Sequence, residues 1–417
     1  MVFFEDLPII ITFIFLLTIL SYYILLFIKP KKPKQVHKFS SITIIIPAHN
    51  EEKYIAEAIE SVIKAEFDGK KRIIVVDDGS IDQTYEIASK YKGVKVLRTK
   101  HSGKSNSINK ALSYAKGDLI AVVDGDSCIN RDALKIMTEE VQRENVGAAT
   151  GIVKVRNRNK FICMWIHIEQ LYNSLMRLLF SKIHANIVTP GPLSVYRRKE
   201  IMELGGFSTK GFSEDIDITI RLIRKGYKIG FAENAVAETN MPYDIKGFLR
   251  QRTRFAKGIL NIFKRHMQLN KTIIDLYTLP LFFFAYMQAV IMGFFITYQI
   301  VSGYFTYFAS KAIFFNLEVL KFFFEWFSIV GFVKWSFSIF SGETALTFIA
   351  IVGIVSTLLS YPLFLFAIIK FDKKFDLRHL IPLFFMFPFW LLIMVIYILM
   401  IPEYFRKSQY NIWKKNE

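Results

Sequence analysis

The sequence of 417 residues is poor in cysteine, and its two cysteines, Cys128 and Cys163, are too few for a disulfide framework or a cysteine-based metal cluster. It has no internal repeat and no low-complexity tract. A phosphate-binding P-loop is also missing. Gly103-Lys104-Ser105 is present, but Arg98 stands where that motif requires its first glycine.

Charge is absent from a long run near the N-terminus. Leu7–Ile28 carries no charged residue and is long enough to cross a bilayer. It has neither the preceding positive charge nor the following small residues of a cleavable signal peptide. We therefore expect an uncleaved signal anchor, with the basic stretch from Lys29 onward in the cytoplasm and the N-terminus outside.

The C-terminal third is also poor in charge. Leu276–Ile300 and Thr344–Ile369 are predicted to span a membrane, and Leu380–Ile401 is predicted to be a further span. A break at Pro388 that returns the chain to the same face would keep the basic segments on both sides of this span inside. Phe314–Phe340 is aromatic but charged, which indicates an interfacial segment or a weak span.

The composition divides the chain into three parts: an anchor with a basic linker (1–36), a part of globular composition (37–268) and a membrane part (269–417). The net charge of +18 follows the membrane flanks, which favours anionic lipid over nucleic acid as the partner. The two best predicted C-terminal spans have almost no ionisable residue, which argues against a transporter or channel.

The middle part alternates apolar strands with helices, and this order is typical of an α/β fold with a parallel sheet covered on both faces. Ligands of such sheets lie beyond the carboxyl ends of the strands. Three predicted strands end in polar clusters, so we expect one shared site there. The strands are predicted at Ser41–Pro47, Arg72–Asp78, Val94–Leu97 and Leu119–Val123, and the polar clusters at Ala48–Glu51, Asp77–Ser80 and Asp124–Asp126.

Asp124-Gly125-Asp126 is the centre of this predicted site. Alternate residues share a face, and Gly125 lets the backbone bend so that both carboxylates converge. Hard oxygen ligands suit Mg²⁺ or Mn²⁺ held together with a diphosphate. An isolated Asp-x-Asp is more often a solvated turn, but acids at three strand ends favour a metal and nucleotide site.

Four further segments contribute candidate features. Phe161–Ile183 is predicted to be a helix, either amphipathic on the membrane surface or part of the core. Gly191, in a rigid Pro-Gly-Pro bend, would let an acceptor approach the backbone. Ser213-Glu214-Asp215 opens an amphipathic helix, where Ser213 can act as the N-cap and Asp215 as a general base. Gln251, Arg254 and Phe255 share one helical face.

Together these motifs resemble the membrane-embedded, processive type of glycosyltransferase family 2, which includes cellulose, chitin, hyaluronan and poly-N-acetylglucosamine synthases. The resemblance runs from about Ser41 to Lys257. It implies a cytosolic GT-A domain, Rossmann-like with a mostly parallel sheet, joined to α-helical transmembrane segments of the plasma membrane.

The resemblance also assigns roles to residues. It implies that Asp215 is the catalytic base within Ser-Glu-Asp and that Asp126 is the main metal ligand, shared with Asp124. Phe255 stands where relatives have a tryptophan that stacks on the acceptor sugar, and it keeps a smaller π face. The implied nucleotide-sugar residues are Pro47, Asn50, Glu51, Asp77, Asp78, Lys104 and Asp124, the implied catalytic residues are Asp215, Glu214, Arg254 and Gln251, and the predicted acceptor residues are Phe255 and Gly191.

The implied reaction is a metal-dependent, inverting transfer of a sugar to a growing β-linked polysaccharide. The donor would be a nucleotide sugar such as UDP-N-acetylglucosamine or UDP-glucose, and the cofactor Mg²⁺ or Mn²⁺. The alternative is transfer of one sugar to a polyprenyl phosphate or a glycolipid, because lipid glycosyltransferases also carry motifs like Gln-x-x-Arg-Trp. Product length separates the two, and the sequence names no partner subunit.

Overall fold

Eight strands form a single sheet in the middle of the chain, in the order β3-β2-β1-β4-β7-β6-β8-β5. The computed structural model describes residues 2–30, 34–268 and 272–405. The strands are β1 (Ser41–Ala48), β2 (Lys70–Asp77), β3 (Val94–Arg98), β4 (Leu119–Val122), β5 (Ser127–Ile129), β6 (Val146–Val155), β7 (Ser194–Arg197) and β8 (Lys228–Thr239).

The first four strands are parallel, as their alternation with helices predicts. In the centre of β1, Ile44 pairs with Ile73 of β2 on one side and with Ala121 of β4 on the other. All three side chains are buried, because helices cover both faces of this half of the sheet. The carboxyl ends of β1, β2 and β4 therefore lie at one edge, which confirms the predicted meeting of their polar clusters.

The sheet is mostly parallel, as predicted, but its second half also contains antiparallel pairs. β7 runs antiparallel to both β4 and β6, while β6 and β8 are parallel to each other. A turn through Pro190-Gly191-Pro192 leads into the short β7 from the direction opposite to β4. The sheet is therefore mixed, and the antiparallel strand brings this turn to the edge where β4 ends.

Two separate apolar clusters cover the two faces of the sheet. One contains Ile59 and Leu134, and the other contains Ile108 and Ile218. The helices of this central part are α2 (Ile55–Lys64), α3 (Thr84–Ser89), α4 (Lys104–Leu112), α5 (Ala133–Val141), α6 (Phe161–Lys182), α7 (Arg198–Glu203), α8 (Glu214–Arg224) and α9 (Ile245–His266).

Of the two alternatives for the segment Phe161–Ile183, the structure favours a core helix. Most of α6 is buried between β6 and the apolar helices of the chain ends. Tyr172 stacks on Phe364 with 4.5 Å between ring centroids, and Trp165 donates a hydrogen bond to the carbonyl oxygen of Pro382 at 3.0 Å. α6 is therefore a largely buried helix that joins the sheet to the apolar helices.

Among the described residues, four helical segments are long and apolar enough to cross a membrane: Leu7–Phe27, Ile274–Lys311, Phe348–Asp372 and Met386–Phe405. They confirm the four predicted apolar segments, with shifted ends. The helices of these parts are α1 (Val2–Phe27), α10 (Leu279–Tyr307), α11 (Leu317–Phe327), α12 (Ile329–Phe340), α13 (Phe348–Asp372), α14 (Leu380–Phe384) and α15 (Met386–Phe405).

The sharp bend of the membrane part lies elsewhere than predicted. α11 and α12 meet at 86°, which makes Phe314–Phe340 either a broken span or a re-entrant pair. The predicted break at Pro388 is wrong, because Pro388 lies in the first turn of α15, where a helix tolerates proline. The helix instead breaks before α15, at Phe385.

The last apolar helix, α15, contacts α9 near both of its ends. Close to its start, Phe389 packs on Phe248 with 5.7 Å between ring centroids. Close to its end, Glu403 forms an ion pair with Lys257, with 3.3 Å between Glu403 Oε1 and Lys257 Nζ. The helix that carries Gln251, Arg254 and Phe255 is therefore covered along its length by an apolar helix of the membrane part.

Candidate active site

The turn between β4 and β5 carries Asp124, Gly125 and Asp126, with both carboxylates partly exposed. Gly125 packs against the end of β1, where an added Cβ would lie 3.2 Å from the carbonyl oxygen of Pro47 and 3.3 Å from Glu51 Cγ. The glycine therefore lets the acidic turn lie directly on the loop that follows β1. The predicted first-strand motif and the predicted metal motif are neighbours in space.

Lys104, the first residue of α4, lies between acids from two different elements. Its Nζ is 2.5 Å from Asp124 Oδ1 and 3.7 Å from Glu214 Oε1. Burial alone would lower the pKa of Lys104, but the carboxylates of Asp124 and Glu214 outweigh it and raise the pKa above its usual value. Lys104 therefore carries a fixed positive charge between these two acids, and its role toward a diphosphate stays a prediction.

Gly191, in the turn before the antiparallel strand β7, lies directly against Lys104 and Asp124. A Cβ at this position would collide with the Lys104 ammonium and with the Asp124 carboxylate. The close approach predicted for this glycine is real, but the groups that come close are these two side chains. Its role toward an acceptor stays a prediction.

Asp215 lies in the first turn of α8, next to Glu214. Burial, reinforced by the charge of Glu214, raises the pKa of Asp215 to about 7, against an opposing pull from Lys104. This value suits a general base near neutral pH. Ser213 occupies the N-cap position, yet its side chain makes no capping hydrogen bond within the described part of the chain, so the predicted cap is wrong.

Hydroxyl groups support the backbone beneath Asp215. The carbonyl oxygen of Asp215 accepts hydrogen bonds from Thr219 Oγ1 at 2.6 Å and Thr189 Oγ1 at 3.3 Å. Thr189 also bonds the phenol of Tyr196 on β7 at 2.8 Å. Because Thr189 precedes Gly191 by two residues, the turn before β7 and the start of α8 form one connected unit.

Asp78 is buried, and its carboxylate accepts hydrogen bonds from the loop after β3. The donors include the backbone N–H groups of Ser102 (3.0 Å) and Gly103 (2.8 Å). Burial would raise the pKa of Asp78, but these bonds, with those from Ser107 and Thr99, hold it below its usual value. Asp78 thus fixes the loop that ends at Lys104, and base recognition by Asp78 stays a prediction.

The neighbours of Asp78 complete the predicted nucleotide side. Asp77 is fully buried, and its carboxylate lies 3.2 Å from Arg98 Nε. The rings of His49 and His101 stack with 4.0 Å between centroids. Asn50 has a left-handed backbone (φ 55°) and accepts a hydrogen bond from the N–H of Ile81.

The predicted face of α9 contains three residues with different surroundings. Gln251 donates to the sulfur of Met241 at 3.3 Å, while its buried Oε1 accepts no hydrogen bond from the described residues. The Arg254 guanidinium lies 5.6 Å from the centroid of the Phe255 ring. Phe255 is 39% exposed, so its ring is accessible to a ligand.

Sequence reasoning missed two contacts of charged residues that hold the helices of the site together. Arg252 and Glu169 form a buried bidentate ion pair at 2.6 and 2.5 Å. Asp217, two residues after Asp215, joins α8 to the end of α9 through His266 at 2.9 Å. Of these residues, only Asp217 could have been recognised from the sequence, because it is an acid on the inward face of an amphipathic helix.

Three side chains of the kinds that bind metals also meet at the end of α13: His167, Asp372 and His379. However, Asp372 already pairs with Lys154 at 2.9 Å and with Arg158 at 3.3 Å. His167 Nδ1 accepts a backbone N–H of β6, which places the imidazole proton on Nε2, facing Asp372 at 2.7 Å. This cluster is an ion-pair network that fastens α13 to the sheet rather than a cation site.

Asp124 and Asp126 suit a divalent cation better. Both carboxylates are hard oxygen ligands, and Asp124 Oδ1 is buried without a conventional hydrogen bond from the described residues, facing only the Lys104 ammonium. Gly125 and Gly191 leave room that a side chain would fill. The donor set therefore fits Mg²⁺ or Mn²⁺ shared with a ligand's oxygens.

Comparison with known proteins identifies relatives of this arrangement. A family model described as "Glycosyl transferase family 2" matches residues 43–205. "Probable glycosyltransferase YdaM" of Bacillus subtilis (strain 168) is 30% identical over 285 residues, which cover 63% of this chain and 67% of that protein. Poly-beta-1,6-N-acetyl-D-glucosamine synthase of Staphylococcus aureus (strain COL) is 27% identical over 236 residues, which cover 55% of this chain and 57% of the synthase.

A solved structure shares the fold. The mannosyltransferase PcManGT from Pyrobaculum calidifontis, in complex with GDP-Man and Mn²⁺, matches 89% of this chain and 97% of its own with a TM-score of 0.59 and 18% identity. The predicted GT-A class is thereby confirmed for the mixed sheet and its helices. On the strength of the 30% identical relative, of which it covers two thirds, and of the family match, the chain belongs to glycosyltransferase family 2.

Proposed function

We propose that this glycosyltransferase moves a sugar from a UDP-sugar, such as UDP-N-acetylglucosamine or UDP-glucose, to a growing β-linked polysaccharide at the membrane, with inversion at the anomeric carbon. One observation carries the proposal most directly. Lys104, Asp124 and Glu214 meet beside Asp215, which combines a charge for a diphosphate, a metal-type acid and a base. The name of the Staphylococcus aureus relative supports an N-acetylglucosamine polymer.

On the donor side, Asp124 and Asp126 would hold Mg²⁺ or Mn²⁺. When bound, the ion would neutralise the leaving diphosphate and so stabilise the transition state. Lys104 would contribute a second positive charge to the same oxygens. Pro47, Asn50 and the buried pair of Asp77 and Asp78 would shape the wall against which the nucleoside lies.

On the acceptor side, Asp215 would accept the proton of the attacking hydroxyl group. Its position in the first turn of α8 fixes the carboxylate beside Glu214. The negative charge of Glu214 raises the pKa of Asp215 and so its affinity for a proton. Attack from the face opposite the leaving group would invert the anomeric centre. Gln251, Arg254 and the exposed ring of Phe255 would hold the acceptor sugar.

A second candidate is the transfer of one sugar to a polyprenyl phosphate or a glycolipid. The residue that favours it is Phe255, which offers a sugar a smaller platform than the tryptophan of processive relatives. The apolar helix α15 beside α9 would give a lipid chain a surface to follow. In this case the product carries one added sugar.

We further propose a plasma-membrane protein of three parts, 1–36, 37–268 and 269–417, with the catalytic part in the cytoplasm. α1 and α13 run in the same direction, since Phe13 packs near Phe348 and Tyr23 donates to the carbonyl oxygen of Leu359. Both end against the catalytic part, where Lys182 binds the carbonyl oxygen of Leu25. The basic residues after Lys29 support a cytoplasmic position for these ends.

The test is an assay of purified protein in lipid vesicles with a panel of radiolabelled nucleotide sugars and Mn²⁺. We expect one UDP-sugar to give a ladder of long products on a gel. A single lipid-soluble product would support the second candidate. No transfer from any sugar in the panel would overturn the proposed function.

A further inference from the structure

The face of α9 predicted to bind the acceptor is fastened to α6 by a buried pair of charges. Arg252 Nη1 and Nη2 reach the two oxygens of Glu169 at 2.6 and 2.5 Å, and both residues are at most 6% exposed. We propose that this pair is a positioning device that sets the rotation of α9 and thereby holds Gln251 and Phe255 in place for the acceptor. The inference rests on the proposed function.

Stabilisation of the fold is a poor explanation for the buried pair of Arg252 and Glu169. Removing two charges from water costs about as much as their attraction returns, and apolar residues of similar size often serve the fold equally well. The surroundings of Arg252 are already apolar and aromatic. Its guanidinium lies 5.0 Å from the ring centroid of Phe248 and 5.4 Å from that of Phe389.

The pair does have the geometry to define an orientation. A bidentate contact fixes both the distance and the rotation of the two helices, which apolar contacts define less sharply. Arg252 also lies 5.7 Å from the ring centroid of Phe255, one turn farther along α9. The exposed Phe255 ring therefore has the guanidinium of Arg252 near it as well as that of Arg254.

Gln251 depends on the same rotation because it is the residue next to Arg252. Its Oε1 is buried and without a hydrogen-bond partner among the described residues, as expected for a group that awaits a ligand's hydroxyl. A rotation of α9 about its axis would displace this oxygen. The other end of α9 is held separately, by His266 on Asp217, so both ends of the helix are anchored by charged side chains.

The decisive variant replaces both charges at once, Glu169→Leu with Arg252→Met, which keeps the volume and leaves no unpaired charge. We expect a melting temperature close to that of the wild type and unchanged UDP binding. The rate of transfer should fall by about 10-fold to 100-fold, the effect of a misplacement on the order of 1 Å. We expect this loss to come with a higher apparent KM for the acceptor or with shorter products. The control replaces Glu140 by Leu and Arg143 by Met in the same way, a largely buried pair at 3.0 Å near the end of α5.

The inference would be overturned if the double variant keeps the melting temperature, the transfer rate and the product length of the wild type. The pair would then serve packing alone. If the double variant does not fold, Arg252→Lys decides, because it keeps the charge and loses the bidentate geometry. Normal product length from a folded Arg252→Lys protein would also overturn it. Wild-type protein in the same assay tests the proposed function separately, since its own failure to transfer any sugar refutes that function alone.

Discussion

Lys104 Nζ lies 2.5 Å from Asp124 Oδ1, so the proposed diphosphate-binding cation and a proposed metal ligand are in direct contact. They come from different strand ends, and Gly191 has no side chain that would separate them. A metal and a donor diphosphate would share this space with the ion pair. If both proposed roles hold, Asp124 would exchange the Lys104 ammonium for the metal when the donor binds.

Replacing this cation should weaken donor binding. For Lys104→Met we expect UDP-sugar affinity to fall about 10-fold to 100-fold, because a contact between charged groups is lost at a buried position. Isothermal titration with UDP measures it. Lys110→Met, on the exposed side of the same helix, is the matched control, and equal affinity for both variants would contradict the assignment of Lys104.

Metal removal should stop turnover. We expect EDTA to abolish transfer and Mn²⁺ or Mg²⁺ to restore it, because the two carboxylates beside Gly125 suit a hard divalent cation. Asp126→Ala should lose most of the activity, whereas the exposed Asp132→Ala should not. Full activity in EDTA would refute the metal assignment.

Loss of the proposed base should separate chemistry from binding. Asp215→Asn keeps the shape, so UDP affinity should remain while transfer falls by about 10²- to 10⁴-fold. Because the pKa of Asp215 is raised in the folded state, its ionisation opposes folding as the pH rises, and asparagine removes that penalty. The variant should therefore melt at a higher temperature at pH 8, and near-normal transfer would show that Asp215 is only structural.

The pH profile should report the same group. With the pKa of Asp215 raised to about 7, the carboxyl is protonated at lower pH and cannot accept the acceptor's proton. We expect kcat/KM to fall as the pH drops below about 7, with UDP binding less affected. The acidic limb should change in Asp215→Glu, and its persistence in that variant would assign the limb to another group.

The ring of Phe255 should matter for the acceptor and little for the donor. Phe255→Leu keeps most of the apolar volume but removes the π face, so we expect shorter products or lost transfer at unchanged UDP affinity. Phe255→Trp should be tolerated. Wild-type product length from Phe255→Leu would place the acceptor elsewhere, and the equally exposed Leu249→Ala controls for a general surface effect.

Local patterns were sufficient to predict that three polar strand ends meet. The strands β1, β2 and β4, which end at Ala48, Asp77 and Val122, each contain an apolar run, and parallel packing brings their carboxyl ends together whatever the details of the helices. The direction of β7 was not predictable in this way, because four residues carry no sign of which neighbour they will join. The pairing of Arg252 with Glu169 was also hidden, since 83 residues separate them and each charge alone suggests an exposed position.

The contact of α15 with α9 has a practical consequence for dissecting the enzyme. A chain that stops before Met386 would keep every strand of the GT-A sheet, yet it would uncover Phe248, deprive Arg252 of the Phe389 ring and leave Lys257 without Glu403. Such a fragment would still present the nucleotide pocket intact to a donor. The face of α9 proposed to bind the acceptor would, in contrast, lose the apolar helix that packs on it, so we expect such a fragment to bind the donor and fail in transfer.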